Sequence, residues 1–150
     1  MKDYDLIDSG SGRRLERFGK YILDRPDPEV LWQKTLQEAD WGKADAIFRE
    51  NWVNKNNVPE RWEMEENGIK FWAKLAPFKH TGVFPEQSAQ WNYIAEILQN
   101  KNVNVLNLFA YTGIASLFAA KAGSKVTHLD ASRPAITWAN ENRDLNGMSD

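Results

Sequence analysis

Residues Val103 to Gly113, Val-Asn-Val-Leu-Asn-Leu-Phe-Ala-Tyr-Thr-Gly, form a short apolar run that breaks at one glycine and leads into a helical pattern. Asp130 follows 17 positions after that glycine. This order of residue types suits a crevice for a nucleotide-like cofactor. Thr112 and Gly113 can open a helix whose first backbone N–H groups have no internal partner and therefore face whatever fills the crevice. Asp130, at the end of the next apolar run, can accept hydrogen bonds from ribose hydroxyls.

Other chemistries find less support in the residue types. The chain has no cysteine, which excludes a disulfide framework, a thiolate zinc site and a Cys nucleophile within these residues. With 19 Lys and Arg against 21 Asp and Glu, the net charge of −2 gives no electrostatic footprint for nucleic acid. His80 lies in a loop beside Lys79 and can meet a phosphate or carboxylate, whereas His128 sits inside an apolar run and reads as a packed residue. Glu65 and Glu66 precede a turn and read as solvated charges. No stretch has the length of a membrane span, and the N-terminus lacks a signal-type apolar region, so a soluble cytoplasmic protein is the expectation.

The elements that must position Gly113 and Asp130 lie in the second half. After residue 86, helices alternate with buried strands, the signature of a parallel α/β sheet. Trp91, Ile94, Ala95 and Leu98 recur at helical spacing from Ser88. Strand one is expected over Val103 to Phe109, and a helix from about Gly113 to Ala122, burying Ile114, Leu117 and Phe118 and stopping at Gly123. Strand two is expected over Lys125 to Leu129. Ser132 then caps a last helix with Pro134 just inside it and Ile136, Ala139 and Leu145 as its apolar face.

Residues 1–80 differ in composition, holding 14 of the Lys/Arg, 15 of the Asp/Glu and five of the seven tryptophans. Glycines and prolines cut this part into short pieces. Mostly antiparallel β structure is expected, with strands over Tyr4 to Ile7, Arg17 to Leu23, Trp62 to Met64 and Ile69 to Leu75, and Glu66-Asn67-Gly68 as a hairpin turn. Glu29 to Leu36 reads as a helical turn or two behind Pro28. The tryptophans can stack bases, but their amphipathic spacing favours packing. The expected division is a small β-rich segment over residues 1–80 and the first part of a nucleotide-type α/β domain over residues 81–150.

The lone glycine narrows the cofactor. A diphosphate-binding turn uses three glycines, one of which lets the backbone approach the pyrophosphate. S-adenosylmethionine has adenine, ribose and a charged methionine tail but no diphosphate, and the 109–113 loop with Asp130 fits those needs. Asn107-Leu-Phe-Ala-Tyr-Thr-Gly113 resembles the first motif of class I S-adenosylmethionine-dependent methyltransferases, most closely the bacterial large-subunit ribosomal RNA methyltransferase group. Lys79-His-Thr-Gly-Val-Phe-Pro-Glu-Gln87 resembles the segment that leads into that group's sheet, and Leu129-Asp-Ala-Ser-Arg-Pro-Ala-Ile136 with Leu145-Asn-Gly147 resembles its second strand and following helix. Asp8-Ser-Gly-x-Gly12 and Arg25-Pro-Asp-Pro28 are similar to the small β segment in front of one bacterial subgroup.

The resemblance implies an α/β, Rossmann-like methyltransferase sheet, present here as its first βαβα units and preceded by a small, mainly antiparallel β segment. It implies S-adenosyl-L-methionine as cofactor and ribosomal RNA as substrate. The cofactor-binding positions are then Phe84, Gln87, Asn107, Phe109, Ala110, Tyr111, Thr112, Gly113 and Asp130. Asp130 holds the ribose, Phe109 to Gly113 the methionine tail, and Phe84 with Gln87 the wall beside it; no general base is identified. Structural readings stand beside these: Asp130 as a helix cap, Phe109 and Tyr111 as core aromatics, Gly113 as a packing requirement, and Gln87 as capping chemistry for the helix it precedes.

The family's Asp-Pro-Pro type motif, which helps orient the reacting base, does not occur in these residues. The expectation is an N-terminal half of a longer enzyme, inactive alone, with an open apolar sheet edge that invites self-association. Two other classes stay in view. A nicotinamide-dependent oxidoreductase would also use a strand, a glycine turn and a distal acid, although the lone glycine argues against it. A non-catalytic binding module built on the tryptophan-rich part is the other.

Overall fold

The computed structural model describes residues 1–148. The chain packs as two units, one made of Met1–Met64 with Ala73–Thr81 and the other of Glu65–Trp72 with everything from Gly82 on.

In the first unit, β1 (Tyr4–Gly10), β2 (Arg13–Phe18) and β3 (Tyr21–Pro26) form an antiparallel meander. Two short strands extend it, β4 (Ala46–Phe48) parallel to β3 and β5 (Trp52–Asn54) antiparallel to β4. Leu15, Phe18, Leu23, Trp41 and Trp62 are buried in this unit. Two segments differ from the sequence expectation. The single strand expected over residues 17–23 is instead two strands, because Gly19 at φ +62° reverses the chain and pairs Phe18 with Tyr21. No helix forms over residues 29–36, where the backbone donors are used elsewhere: Thr35 and Leu36 N–H groups donate to the buried Asp8 carboxylate. The helical turn, α1, comes later, at Glu38–Trp41.

Strands β6 (Arg61–Glu66) and β7 (Ile69–Lys74) form a hairpin whose base belongs to the first unit and whose tip belongs to the second. Asn67 and Gly68 both have positive φ, the requirement of a two-residue turn matched to strand twist.

The second unit carries two βα units in succession. A 3₁₀ turn, Pro85–Gln87, leads into α2 (Ser88–Leu98), followed by β8 (Asn104–Leu108), α3 (Ile114–Lys121), β9 (Lys125–Leu129) and α4 (Arg133–Leu145). β8 and β9 pair in parallel, Asn104 with Lys125 through Leu108 with Leu129. Trp91 of α2 sits between the rings of Phe71 and Phe118, at centroid distances of 6.2 and 5.9 Å. Ser132 caps α4 by accepting from Ala135 N–H. The buried face of α4 is Ala135, Trp138, Ala139 and Asn142, whereas Ile136 and Leu145 of the expected face are only half-buried. A polar residue takes the core position because both ends of its amide are bonded, as described below.

Among the described residues β8 pairs with β9 alone. Side chains alternate across the pair. Leu106, Leu108 and Leu129 share one face and are 50–60% exposed. No helix among the described residues is long and apolar enough to cross a membrane.

Candidate functional site

The C-terminal ends of β8 and β9 open into a loop with unusual backbone geometry. Phe109 and Tyr111 both have positive φ, +53° and +50°, which non-glycine residues adopt at a cost of order 1–3 kcal/mol each. Gly113 follows at +82° as the N-cap of α3. Several bonds hold this conformation. Ala110 N–H donates to Leu129 O, Tyr111 N–H to Asp130 Oδ2 at 2.8 Å, and Gly113 N–H to Ala110 O. Thr112 Oγ1 donates to Gly82 O at 2.7 Å, and Thr112 O accepts from Asn142 Nδ2 at 2.9 Å.

The loop borders a cleft of about 490 Å³, a volume suited to a small-molecule ligand. Phe84, Gln87, Asn107, Phe109, Ala110, Tyr111 and Thr112 line it, so seven of the nine positions singled out in the sequence come together. Gly113 and Asp130 do not line this cleft. Gly113 faces α4, where a Cβ would stand 3.0 Å from Ala139 Cβ. Asp130 acts on the loop: its Oδ1 accepts from Ser132 N–H and its Oδ2 from Tyr111 N–H, both at 2.8 Å. It thus joins the loop to the start of α4 while Ser132 supplies the cap. An ionised carboxylate offers about four lone-pair sites, so acceptor capacity remains for hydroxyl groups. The two N–H donors, Ser132 first, hold the Asp130 carboxyl below its ordinary pKa.

Phe84, Tyr111 and Trp138 form a row of rings, 5.5 and 6.4 Å apart. Trp138 is oriented by donating Nε1–H to Trp72 O at 3.0 Å. Burial, with the Asp130 charge in addition, pushes the Tyr111 phenol above its usual range and keeps it neutral. Phe109 is 92% exposed and so is a wall rather than a core residue.

Behind the cleft, Asn107 Nδ2 donates to Ser116 Oγ at 2.9 Å, and Ser116 Oγ lies 3.0 Å from His128 Nδ1. Nε2 of His128 is buried without a partner. Burial lowers the His128 pKa, against an opposing pull from Asp130. The ring is therefore a neutral packed residue bridging β9 to α3.

Gly82, Glu86, Trp91, Ile114 and Ala115, which the sequence does not mark as cofactor positions, also line the cleft. Trp138 and Asn142 also contribute, by holding Trp72 and Thr112. The usable signal for the last two was their three- to four-residue spacing with Ala135 and Ala139 along α4.

A parallel βαβα arrangement with a ligand-sized cleft at the strand ends, an uncapped helix N-terminus beside it and no diphosphate-type glycine loop defines a Rossmann-like cofactor-binding protein. The chain belongs to the S-adenosylmethionine-dependent methyltransferase family, whose pattern matches residues 43–150. The crystal structure of the SAM-dependent methyltransferase from Agrobacterium tumefaciens is 42% identical and superposes with a TM-score of 0.93, over 97% of this chain and 49% of that one. The ribosomal RNA large subunit methyltransferase K/L of Shewanella frigidimarina is 45% identical over 86 residues, 57% of this chain and 12% of its own length. That of Methylococcus capsulatus is 34% identical over 130 residues, 86% of this chain and 16% of its own. The chain thus spans about half of the Agrobacterium protein and a small part of the two ribosomal RNA enzymes.

Proposed function

We propose that these 150 residues supply the cofactor cleft of an S-adenosylmethionine-dependent methyltransferase that acts on ribosomal RNA. The observation that carries the reading is the strained 109–113 loop, fixed from one side by Asp130 and from the other by Gly82 and Asn142, bordering a cleft of suitable size. Bound S-adenosylmethionine supplies a methyl group on a sulfonium sulfur. The chain's own residues bind and orient it: Asp130 through its remaining acceptor sites towards the ribose hydroxyls, Asn107 and the 109–113 loop with the N-terminus of α3 towards the methionine tail, and Phe84 with Gln87 as the adjoining wall. The charge balance of the chain does not select RNA; that part of the proposal rests on the names of the relatives.

Calorimetric titration with S-adenosylhomocysteine, with NAD as comparison and Asp130→Ala as control, tests the cofactor. Saturable binding of the former alone, weakened by the substitution, supports the reading; binding of NAD alone would replace it by the oxidoreductase reading. For the substrate, the protein is incubated with radiolabelled S-adenosylmethionine and unmethylated large-subunit ribosomal RNA, and label in protein or small molecules but not in RNA would overturn that assignment.

Self-association through the open edge of β8 is part of the same proposal. Its support is the edge of β8 that has no strand partner among the described residues, beside the exposed Leu106 and Leu108. Sedimentation across a concentration series tests it.

A further inference from the structure

Asn142 is a fully buried amide on the face of α4 that otherwise buries Ala135, Trp138 and Ala139. An unbonded amide is costly in such a place, and this one is bonded at both ends: Oδ1 accepts from Trp72 N–H at 2.8 Å, and Nδ2 donates to Thr112 O at 2.9 Å. One helix turn later, Asn146 bonds both backbone groups of Lys70, at 2.9 and 2.7 Å. One turn earlier, Trp138 Nε1–H donates to Trp72 O at 3.0 Å. Three side chains spaced four apart on α4 therefore follow alternate residues of β7 and satisfy its backbone much as a neighbouring strand would.

Asn142 differs from Asn146 in one respect. Asn146 bonds β7 and its own helix, whereas Asn142 spends its donor on the loop that borders the cleft. That bond chooses between backbone states. Thr112 O and Gly113 N–H belong to one planar peptide unit, which turns as a body through the dihedrals on either side of it. Gly113, at φ +82°, lacks a Cβ and tolerates either sign of φ, so it imposes no orientation on that plane. Two bonds impose it instead: Asn142 Nδ2–H on the carbonyl end, and Gly113 N–H on Ala110 O at 3.0 Å. In this orientation Thr112, Ile114 and Ala115 line the cleft. Phe109 and Tyr111, at φ +53° and +50°, are held against their own strain, so the loop relaxes once a restraint is lost.

We propose that Asn142 is a positioning residue for cofactor binding: from its anchor on Trp72 it fixes the Thr112–Gly113 peptide in the orientation that shapes the cleft. This rests on the cofactor reading above and assigns to it a residue that does not itself line the cleft. Coupling of this kind is reciprocal, so a filled cleft holds Asn142 on Trp72 and protects that amide.

The test is calorimetry with S-adenosylhomocysteine on the unsubstituted chain, Asn142→Ala, the volume-keeping Asn142→Leu, and Asn146→Ala. Both Asn142 variants should bind about tenfold or more weakly, while Asn146→Ala, which loses bonds to the same strand, should stay within about twofold of the unsubstituted chain. A purely structural role lowers the melting temperatures of all three and leaves the affinities of the folded chains alike, so equal affinities for the Asn142 and Asn146 variants overturn the proposal. If the Asn142 variants do not fold, amide exchange in the unsubstituted chain decides. Saturating S-adenosylhomocysteine should slow exchange of Trp72 N–H about tenfold more than that of Lys70 N–H, and equal slowing overturns the proposal. A chain that binds S-adenosylhomocysteine without these differences loses this inference alone; one that does not bind it loses the cofactor reading as well.

Discussion

Asp130 accepts the backbone N–H of Tyr111 at 2.8 Å, tying the end of one strand to the loop that leaves its neighbour. Tyr111 is one of the two non-glycine residues in that loop with positive φ. The carboxylate compensates backbone strain, and in the proposed function its remaining acceptor sites serve the cofactor. Asp130→Asn should therefore weaken S-adenosylhomocysteine about ten- to hundredfold. The pH dependence follows from the depressed pKa. The carboxylate's contribution is fully present above its ordinary value of about 3.9 and is lost only as pH falls through the lower folded value. Affinity attributable to Asp130 should stay flat between about pH 5 and 8, and a decline centred near pH 6 in calorimetry would contradict this.

Asn142 is fully buried, with Nδ2 donating to Thr112 O and Oδ1 accepting from Trp72 N–H. Its removal takes away the amide bonded to the buried Thr112 carbonyl and to the part-buried Trp72 N–H, and a lost bond of this kind costs about 1–3 kcal/mol. Asn142→Ala should cost about 2–5 kcal/mol in urea denaturation. Asn146→Ala, at a half-buried site bonded to both backbone groups of Lys70, should cost less.

Gly82 tolerates no side chain. Its φ is +83°, and a Cβ would stand 2.1 Å from Trp138 Cζ2, a ring already fixed by its bond to Trp72. Gly82→Ala should destabilise by about 3 kcal/mol or more, strain and overpacking together, and shift tryptophan fluorescence. Gly113→Ala meets Ala139 Cβ at 3.0 Å and should cost less. Equal melting temperatures for the two variants would show that the Trp138 contact is not what fixes Gly82.

His128 titrates with the opposite consequence from an exposed histidine. Burial lowers its folded pKa, so its contribution is fully present above the ordinary value of about 6.5 and is lost as pH falls towards the folded value. The loss is at most about 1.4 kcal/mol per pH unit, and less here because the ring is only half-buried and solvent screens it. Urea midpoints measured at about pH 7.5 and 5.5 should differ for the unsubstituted chain and converge for His128→Gln, which keeps a partner for Ser116.

The second unit was the more legible in sequence, since helical spacing, the cap at Ser132 and the apolar runs of β8 and β9 are local signals. The order of its elements follows from them almost without tertiary information. Residues 17–23 show the limit: a β-rich composition hides a reversal at Gly19 that only the register of Phe18 on Tyr21 reveals. Asn142 shows another, because an asparagine on an apolar helix face reads as a defect until both its partners are known. Seven of the nine singled-out positions gather at one cleft, five of them from the nearly contiguous stretch 107–112 and two, Phe84 and Gln87, from the segment that leads into α2.

The hairpin of β6 and β7 changes where the chain can be cut. Composition marks residue 80 as a natural boundary, yet Trp72 supplies the acceptor for Trp138 Nε1–H and the donor for Asn142 Oδ1, and Phe71 packs on Trp91. A truncation starting at residue 81 would delete these groups, so a fragment meant to carry the second unit has to include Glu65–Trp72. Any domain-swap chimera between homologues should carry that hairpin with its C-terminal donor.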